Sequence, residues 1–244
     1  MMQKEVLFLA KEQLAVDLNC RREDFDRPGL QFFPFAALPG RRPFPIREPA
    51  LELVSFGAGT VVSAAERILP QLQQRLAGME RDQVWAQPFV RSLGHYFLPD
   101  LARQQRCRRQ IPQGIRLAWT EEQGMKQLYE TPGFSNALGY DCNAPRPDVL
   151  AVSAWAGDRL VGMAGASADC RMLWQIGVDV VPDWRRKGLA AALVWELSQA
   201  VLARGKIPYY GTSSSNLASQ RTAWASGYFP AWVCSYGACW DEGE

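Results

Sequence analysis

The sequence predicts an α/β chain built on a mixed α+β sheet, with its main body at residues 116–244 and a smaller N-terminal α+β region at residues 1–115 packed on it. Three observations carry this expectation. Alternating apolar segments at 148–156 and 159–168 flank Gly157-Asp158, a tight hairpin signal. Residues 188–204 place Leu189, Leu193, Leu197, Ala200, Val201 and Arg204 at three- and four-residue intervals. Between them an apolar strand, Met172–Val181, turns through a short basic glycine segment directly into that helix.

In chain order, the Pro-rich stretch Pro28–Pro49 reads as irregular. Leu51–Ser55 and Thr60–Ala64 read as two strands turning at Gly57-Ala58-Gly59. Ala65–Leu76 reads as a helix interrupted or begun at Pro70, and His95–Leu98 as a further strand. In the second half the hairpin is followed by the strand Met172–Val181 and by the helix, which stops at Gly205, a left-handed cap. Ile207–Thr212 is the next strand. Asn216 is an N-cap for a helix over Leu217–Ser226, Gly227 closes it, and Tyr228–Tyr236 is the last strand.

The turn from strand to helix has the design of an anion cradle. A helix start exposes backbone N–H groups with no partner inside the helix, and the macrodipole adds about half a positive charge there, so a diphosphate is held by main chain alone. Gly188 permits close approach, and Arg185, Arg186 and Lys187 add charge around a polyanion. Three basic residues on an exposed turn are equally compatible with a solvated surface.

These residues resemble a known family. Arg185-Arg186-Lys187-Gly188-Leu189-Ala190 fits the Arg/Gln-x-x-Gly-x-Gly/Ala signature of the GCN5-related N-acetyltransferases (GNAT), and Asn216-x-x-Ser219 followed by Gly227-Tyr228 is similar to the family's Asn-x-x-Ala/Ser and Gly-Phe element. The order strand, strand, strand, cradle, helix, strand, helix, strand matches the family core as well. The resemblance implies the acyl-CoA N-acyltransferase fold in the C-terminal half and acetyl-CoA (coenzyme A) as cofactor. Arg185, Arg186, Lys187, Gly188, Leu189 and Ala190 would then grip its pyrophosphate, while Asn216 and Ser219 lie along the pantetheine arm, a role compatible with capping. It also implies that the backbone amides of Val178 and Val180 serve the thioester, although valines suit any buried strand.

Amine attack on a thioester needs an acceptor for the ammonium proton and a donor for the departing thiolate. Asp179 is the candidate base, because a carboxylate on an otherwise apolar strand requires either a partner or a function. Asp169 and Asp141 are weaker candidates, and an ordered water chain is a further route. The family tyrosine seven positions after the Asn216 equivalent is replaced by Ala223, which leaves Tyr209, Tyr210 or Tyr228 to substitute. Each of those is also a natural core aromatic.

Composition narrows the classes. The 244 residues are 48% hydrophobic and 21% charged with net charge +2, so nucleic-acid binding is not expected. No apolar run approaches the roughly 18 residues of a membrane span, and a cytoplasmic protein is expected. Cys20, Cys107, Cys142, Cys170, Cys234 and Cys239 are scattered, and His95 is the only histidine, so no metal site is expected and the cysteines read as reduced and mostly buried. Arg103, Arg106, Arg108, Arg109 and Arg116 read as a solvated linker, with the 3′-phosphate of coenzyme A or a nucleic acid as other uses.

Three functions follow. The first is an acyl-CoA-dependent N-acyltransferase, moving acetyl to a primary amine of a small molecule or protein by direct attack. The second is a non-catalytic acyl-CoA-binding or sensing module, which Ala223 favours. The third is a partner-binding or nucleic-acid-associated protein using the arginine patch. Residues 1–115 would form a substrate lid or a degenerate second copy of the fold, and the oligomeric state stays open, a homodimer included.

Overall fold

The computed structural model describes every residue except 107, 237, 239 and 241–244. In chain order the elements are α1 (Gln3–Leu18), β1 (Gly29–Pro34), β2 (Leu51–Phe56), β3 (Gly59–Ala64), α2 (Leu69–Leu76), α3 (Arg81–Trp85), β4 (Leu93–Pro99), α4 (Leu101–Arg106), β5 (Ile115–Glu121), α5 (Met125–Leu128), β6 (Asp148–Ala156), β7 (Arg159–Ala168), β8 (Leu173–Val180), α6 (Leu189–Ala203), β9 (Ile207–Ser213), α7 (Leu217–Ala225) and β10 (Tyr228–Ser235). No helix among the described residues is long and apolar enough to cross a membrane.

Compactness divides the chain into two units assembled from several segments each. The first comprises Met1–Val6, Phe97–Gly211 and Asn216–Phe229, and the second Leu7–Tyr96, Thr212–Ser215 and Pro230–Glu244. Residue order alone placed a single boundary between 115 and 116.

In the first unit the strand order is β9-β8-β7-β6-β5, antiparallel from β5 through β8 and parallel between β8 and β9. One sheet face buries α6, whose Leu189, Leu193, Leu197 and Val201 join Val152, Ala164 and Ile176 in a common core. Each fully buried leucine contributes on the order of 2 kcal/mol. The other face carries Met125 of α5 and the turn Phe134–Leu138, packed on Ala151 and Met163.

In the second unit β1 pairs parallel with β3, β2 and β3 form the hairpin, and β10 pairs antiparallel with β2. Leu51, Leu53, Val62 and Ala64 pack under Ile68, Leu72 and Leu76 of the α2 region and Val84 of α3. Two ion pairs are buried here. Arg42 Nε donates to Asp17 Oδ2 at 2.6 Å, and Arg41 Nη2 to Glu52 Oε1 at 2.5 Å. Burial pushes the Glu52 carboxyl up to about 7; Arg41 pulls it down and the Asp17 charge pushes it further up.

From β6 onward the elements fall within about two residues of their sequence-derived positions. Several readings in the first half need correction. Pro28–Pro49 is not wholly irregular, because Gly29–Pro34 forms β1 through pairing with distant β3. Of the two readings of Ala65–Leu76, a helix interrupted or begun at Pro70, the second holds: the helix starts at Leu69, with Pro70 in its first turn where no N–H is needed. Helix α1 was not foreseen, although Val6, Ala10, Leu14 and Leu18 form a buried stripe at four-residue spacing.

The arginine patch is solvated, with Arg106, Arg108, Arg109 and Arg116 exposed, but it lies within the first unit and is not a linker. Arg103 ends over the Trp224 ring at 4.0 Å, Arg116 over Trp155 at 5.8 Å, and Arg109 Nε donates to Ala225 O at 2.6 Å. Nor are the cysteines mostly buried. Cys234 is buried, its thiol pushed up to about 12 by desolvation, but Cys142 is exposed and Cys20 and Cys170 are half-buried. Cys107 and Cys239 lie outside the described residues.

Candidate active site

Strand β8 leaves the sheet at Val181, whose N–H donates to Val161 O at 3.0 Å. A single turn over Pro182–Trp184 follows, started by a proline that fixes φ without costing a donor. Arg185 then folds back, and its Nε donates to Val180 O at 2.9 Å. Arg186 and Gly188 both take the left-handed conformation, at φ 58° and 81°. At Gly188 a Cβ would meet nothing within 4 Å, so it is the backbone conformation, not crowding, that calls for glycine.

Gly188 is the N-cap of α6 and brings no capping side chain, so the amides of the first turn of the helix are left for a ligand. Lys187 Nζ stands over the Trp184 ring at 4.7 Å, while Arg186 has neither an ion-pair nor a hydrogen-bond partner among the described residues. Residues 185–188 are exposed; Leu189 is buried and anchors the turn, and Ala190 is half-buried.

Beside this turn the sheet opens. The parallel pairing of β8 with β9 ends at Ile176↔Tyr210, while β9 continues to Ser213. Beyond that rung, Gly177 to Val180 pair only with β7. Amide direction alternates along a strand, and Val181 N–H points at β7, so Val178 and Val180 direct theirs away from β7 into the opening. Val180 O, held by Arg185, faces the same side. The structure therefore brings Val178, Val180 and Arg185 to Ala190 together along one opening in the sheet.

Asp179 lies on the face opposite α6. Its Oδ2 accepts from the backbone N–H of Asn136 at 2.8 Å and of Ala137 at 3.1 Å, and its Oδ1 from Asn136 Nδ2 at 2.5 Å. The carboxylate thus ties down the turn Phe134–Leu138. Two paired glycines make room for that turn, since a Cβ on Gly177 would sit 1.7 Å from Asn136 O and one on Gly165 1.8 Å from Ala137 O. Sequence reasoning singled out Asp179 but not these partners, and Asn136 carries no motif. Asp169 is buried on the same side, accepting from Ser167 Oγ at 2.7 Å and from the Tyr209 hydroxyl. Asp141 accepts the N–H of Asn143 at 2.8 Å and serves its own loop.

A model of the Acetyltransferase (GNAT) family matches residues 112–228. This segment belongs to the GNAT acetyltransferase family. Solved structures similar to the chain include a GCN5-related N-acetyltransferase-like protein from Streptococcus suis, at 19% identity and TM-score 0.46 over 73% of this chain and 71% of that one. A GNAT-family acetyltransferase from Colwellia psychrerythraea is similar at 11% identity and TM-score 0.47, over 96% and 97% of the two chains. An aminoglycoside N-acetyltransferase, AAC(6')-Iy, in complex with CoA is similar at 18% identity and TM-score 0.37, over 50% and 93%. No curated protein matches this chain.

In the GNAT segment Asn216 caps α7, its side chain accepting from Ser219 N at 3.0 Å, and Ser219 Oγ bonds the Tyr210 hydroxyl at 2.7 Å. Ala223 is wholly buried in the core that also holds Tyr210 and Tyr228. Tyr228 is bonded to Ser198 at 2.6 Å deep in that core, whereas Tyr209 turns to Asp169 on the far face. Tyr210 stands on the last paired rung of β8 and β9, and burial raises its hydroxyl above the ordinary tyrosine range.

Proposed function

We propose that this protein is an acyl-CoA-dependent N-acyltransferase that moves acetyl from acetyl-CoA to a primary amine of a small molecule or protein. The observation that carries the reading is the opening between β8 and β9 with α6 starting at its mouth. The residues fit the cofactor: a left-handed Gly188 with open space, uncapped first-turn amides and two strand amides turned into the gap form a main-chain lining for a phosphorylated thioester. When bound, acetyl-CoA supplies an acetyl group activated as a thioester.

In this reading Gly188, Leu189 and Ala190 hold phosphate through their amides, with Arg185, Arg186 and Lys187 adding charge. Val178 and Val180 turn parallel N–H groups into the gap about 6.6 Å apart, so one of them would serve the thioester carbonyl oxygen, where negative charge develops during attack, and the other would bind elsewhere along the arm. Asn216 and Ser219 border the arm. Asp179 is assigned to fixing the 136–137 turn on the acceptor side and is tested as the base below. We assign the chemistry to residues 116–244 and the choice of acceptor to their loops, the Phe134–Leu138 turn among them, and infer that the protein works in the cytoplasm. A binding or sensing module is the second reading, favoured by Ala223 in place of the family tyrosine.

The test is thermal stability with and without acetyl-CoA. Saturation at about 100 times Kd adds about 2.7 kcal/mol, a rise of about 5–10 °C for a chain of this size. Gly188→Glu, which places a side chain and a negative charge at the cradle, is expected to lose that rise. Equal rises in the two proteins would sink the cradle. A rise with no amine-dependent release of CoA thiol would select the sensing module.

A further inference from the structure

Away from the cradle, the second unit holds a cleft of about 420 Å³ lined by residues of α3, β2, β4 and β10, within the size range of small-molecule sites. Its body is apolar, with Trp85, Ala231 and Val233 among its walls, and Ser55, Arg81, Asp82 and His95 supply polar groups. Two of these are already committed. Ser55 Oγ accepts the indole N–H of Trp85 at 2.9 Å and bonds Thr60 Oγ1 at 2.6 Å. Arg81 Nη2 donates to the carbonyl oxygens of Gly57, at 3.1 Å, and Ala58.

The other two are unspent. Among the described residues neither the Asp82 nor the His95 side chain has a hydrogen bond or an ion pair. A carboxylate that only accepts, an imidazole with a free acceptor nitrogen, and an indole fixed through its N–H suit a cation with an apolar body. The cation of the cleft, Arg81, is occupied by the 57–58 turn, so an anion finds less to bind.

We infer that this cleft binds a small organic amine in its cationic form, seated on Trp85 and paired with Asp82 beside His95. The site does not depend on the acyl-transfer reading and is measured without acetyl-CoA.

The chain has a single histidine, so its imidazole gives one pair of ring C–H signals, Hδ2 and Hε1, in a proton NMR spectrum and reports on the cleft directly. The probe is 2-phenylethylamine added to the full-length protein, compared with 2-phenylethanol and phenylacetate. A saturable shift with the amine is expected, with the alcohol about tenfold weaker, since a partly exposed ion pair and a cation–π contact together are worth about that factor. Asp82→Asn, an exposed position, is expected to keep the melting temperature and lose the preference for amine over alcohol. No saturable shift, equal or tighter binding of the alcohol or phenylacetate, or an unchanged preference in Asp82→Asn would each overturn the inference.

Discussion

Replacing Gly177 by alanine tests whether the Phe134–Leu138 turn is fixed on the sheet by its bonds to Asp179. The added Cβ would lie 1.7 Å from Asn136 O, a backbone atom that no side-chain rotation can move aside. An ordinary carbon–oxygen contact is about 3.3 Å, so the turn must retreat by about 1.6 Å. The hydrogen bonds from Asn136 N and Ala137 N to Asp179, now 2.8 and 3.1 Å, would not survive that displacement. Each bond to a charged acceptor is worth about 1.5–3 kcal/mol, with the lower end appropriate because Asn136 is exposed and water replaces part of the loss. The net cost is therefore about 3 kcal/mol, or a fall of about 6–12 °C in Tm. Scanning calorimetry is the assay, read on the transition of the first unit, since two compact units need not melt together. Gly165→Ala is expected to behave alike. Combining Gly177→Ala with Asp179→Ala should add little, because the first change already breaks the bonds removed by the second. A Tm within about 2 °C of the parent for Gly177→Ala would refute the reasoning, since it would mean the turn moves freely.

The remaining predictions concern proton transfer and buried charge. Asp179→Asn separates positioning from base catalysis: a positioning carboxylate raises the acceptor KM and leaves the shape of the kcat pH profile, whereas loss of its alkaline rise would make Asp179 the base. Glu52→Gln is expected to flatten the dependence of stability on pH. The Glu52 carboxyl lies at about 7 in the folded chain against an ordinary 4.5, so its contribution is complete below about pH 4.5 and is lost as pH rises through about 7. That displacement is worth about 3 kcal/mol at most, and a parent Tm that does not fall between pH 5 and 7.5 would contradict it.

The second half of the fold was legible because its signals are local. Gly157-Asp158 fixes a hairpin by itself, and α6 repeats its leucines at the helical period whatever the rest of the chain does. The elements not foreseen depend on remote partners. Strand β1 exists through pairing with β3, some thirty residues on in the chain, and its own text, Leu30-Gln31-Phe32-Phe33 between Pro28-Gly29 and Pro34, is too short to declare a strand. The Trp residues that receive Arg103 and Arg116 are likewise distant, so the run of arginines gives no sign in the sequence of the rings it stands over. Helix α1 is the exception, since its four-residue apolar spacing is present in the sequence itself.

The same distinction divides the candidate site. A diphosphate cradle is made of consecutive main-chain amides at a helix start, and a handful of adjacent residues with one left-handed glycine specifies it. The turn beside Asp179 is made by contact between segments about forty residues apart. Asp179 is visible as an odd carboxylate on an apolar strand, but the backbone it holds, and the two glycines that let that backbone lie on the sheet, have no signature of their own. A glycine in a strand ordinarily weakens it, so a pair facing each other across β7 and β8 is costly unless something presses on both. The turn at 136–137 is that something. The strand-to-helix turn is thus written in contiguous residues, while the seat of the 136–137 turn is written in close approaches that only folding reveals, and substitutions at Gly165 and Gly177 are the most direct way to disturb the second without touching the first.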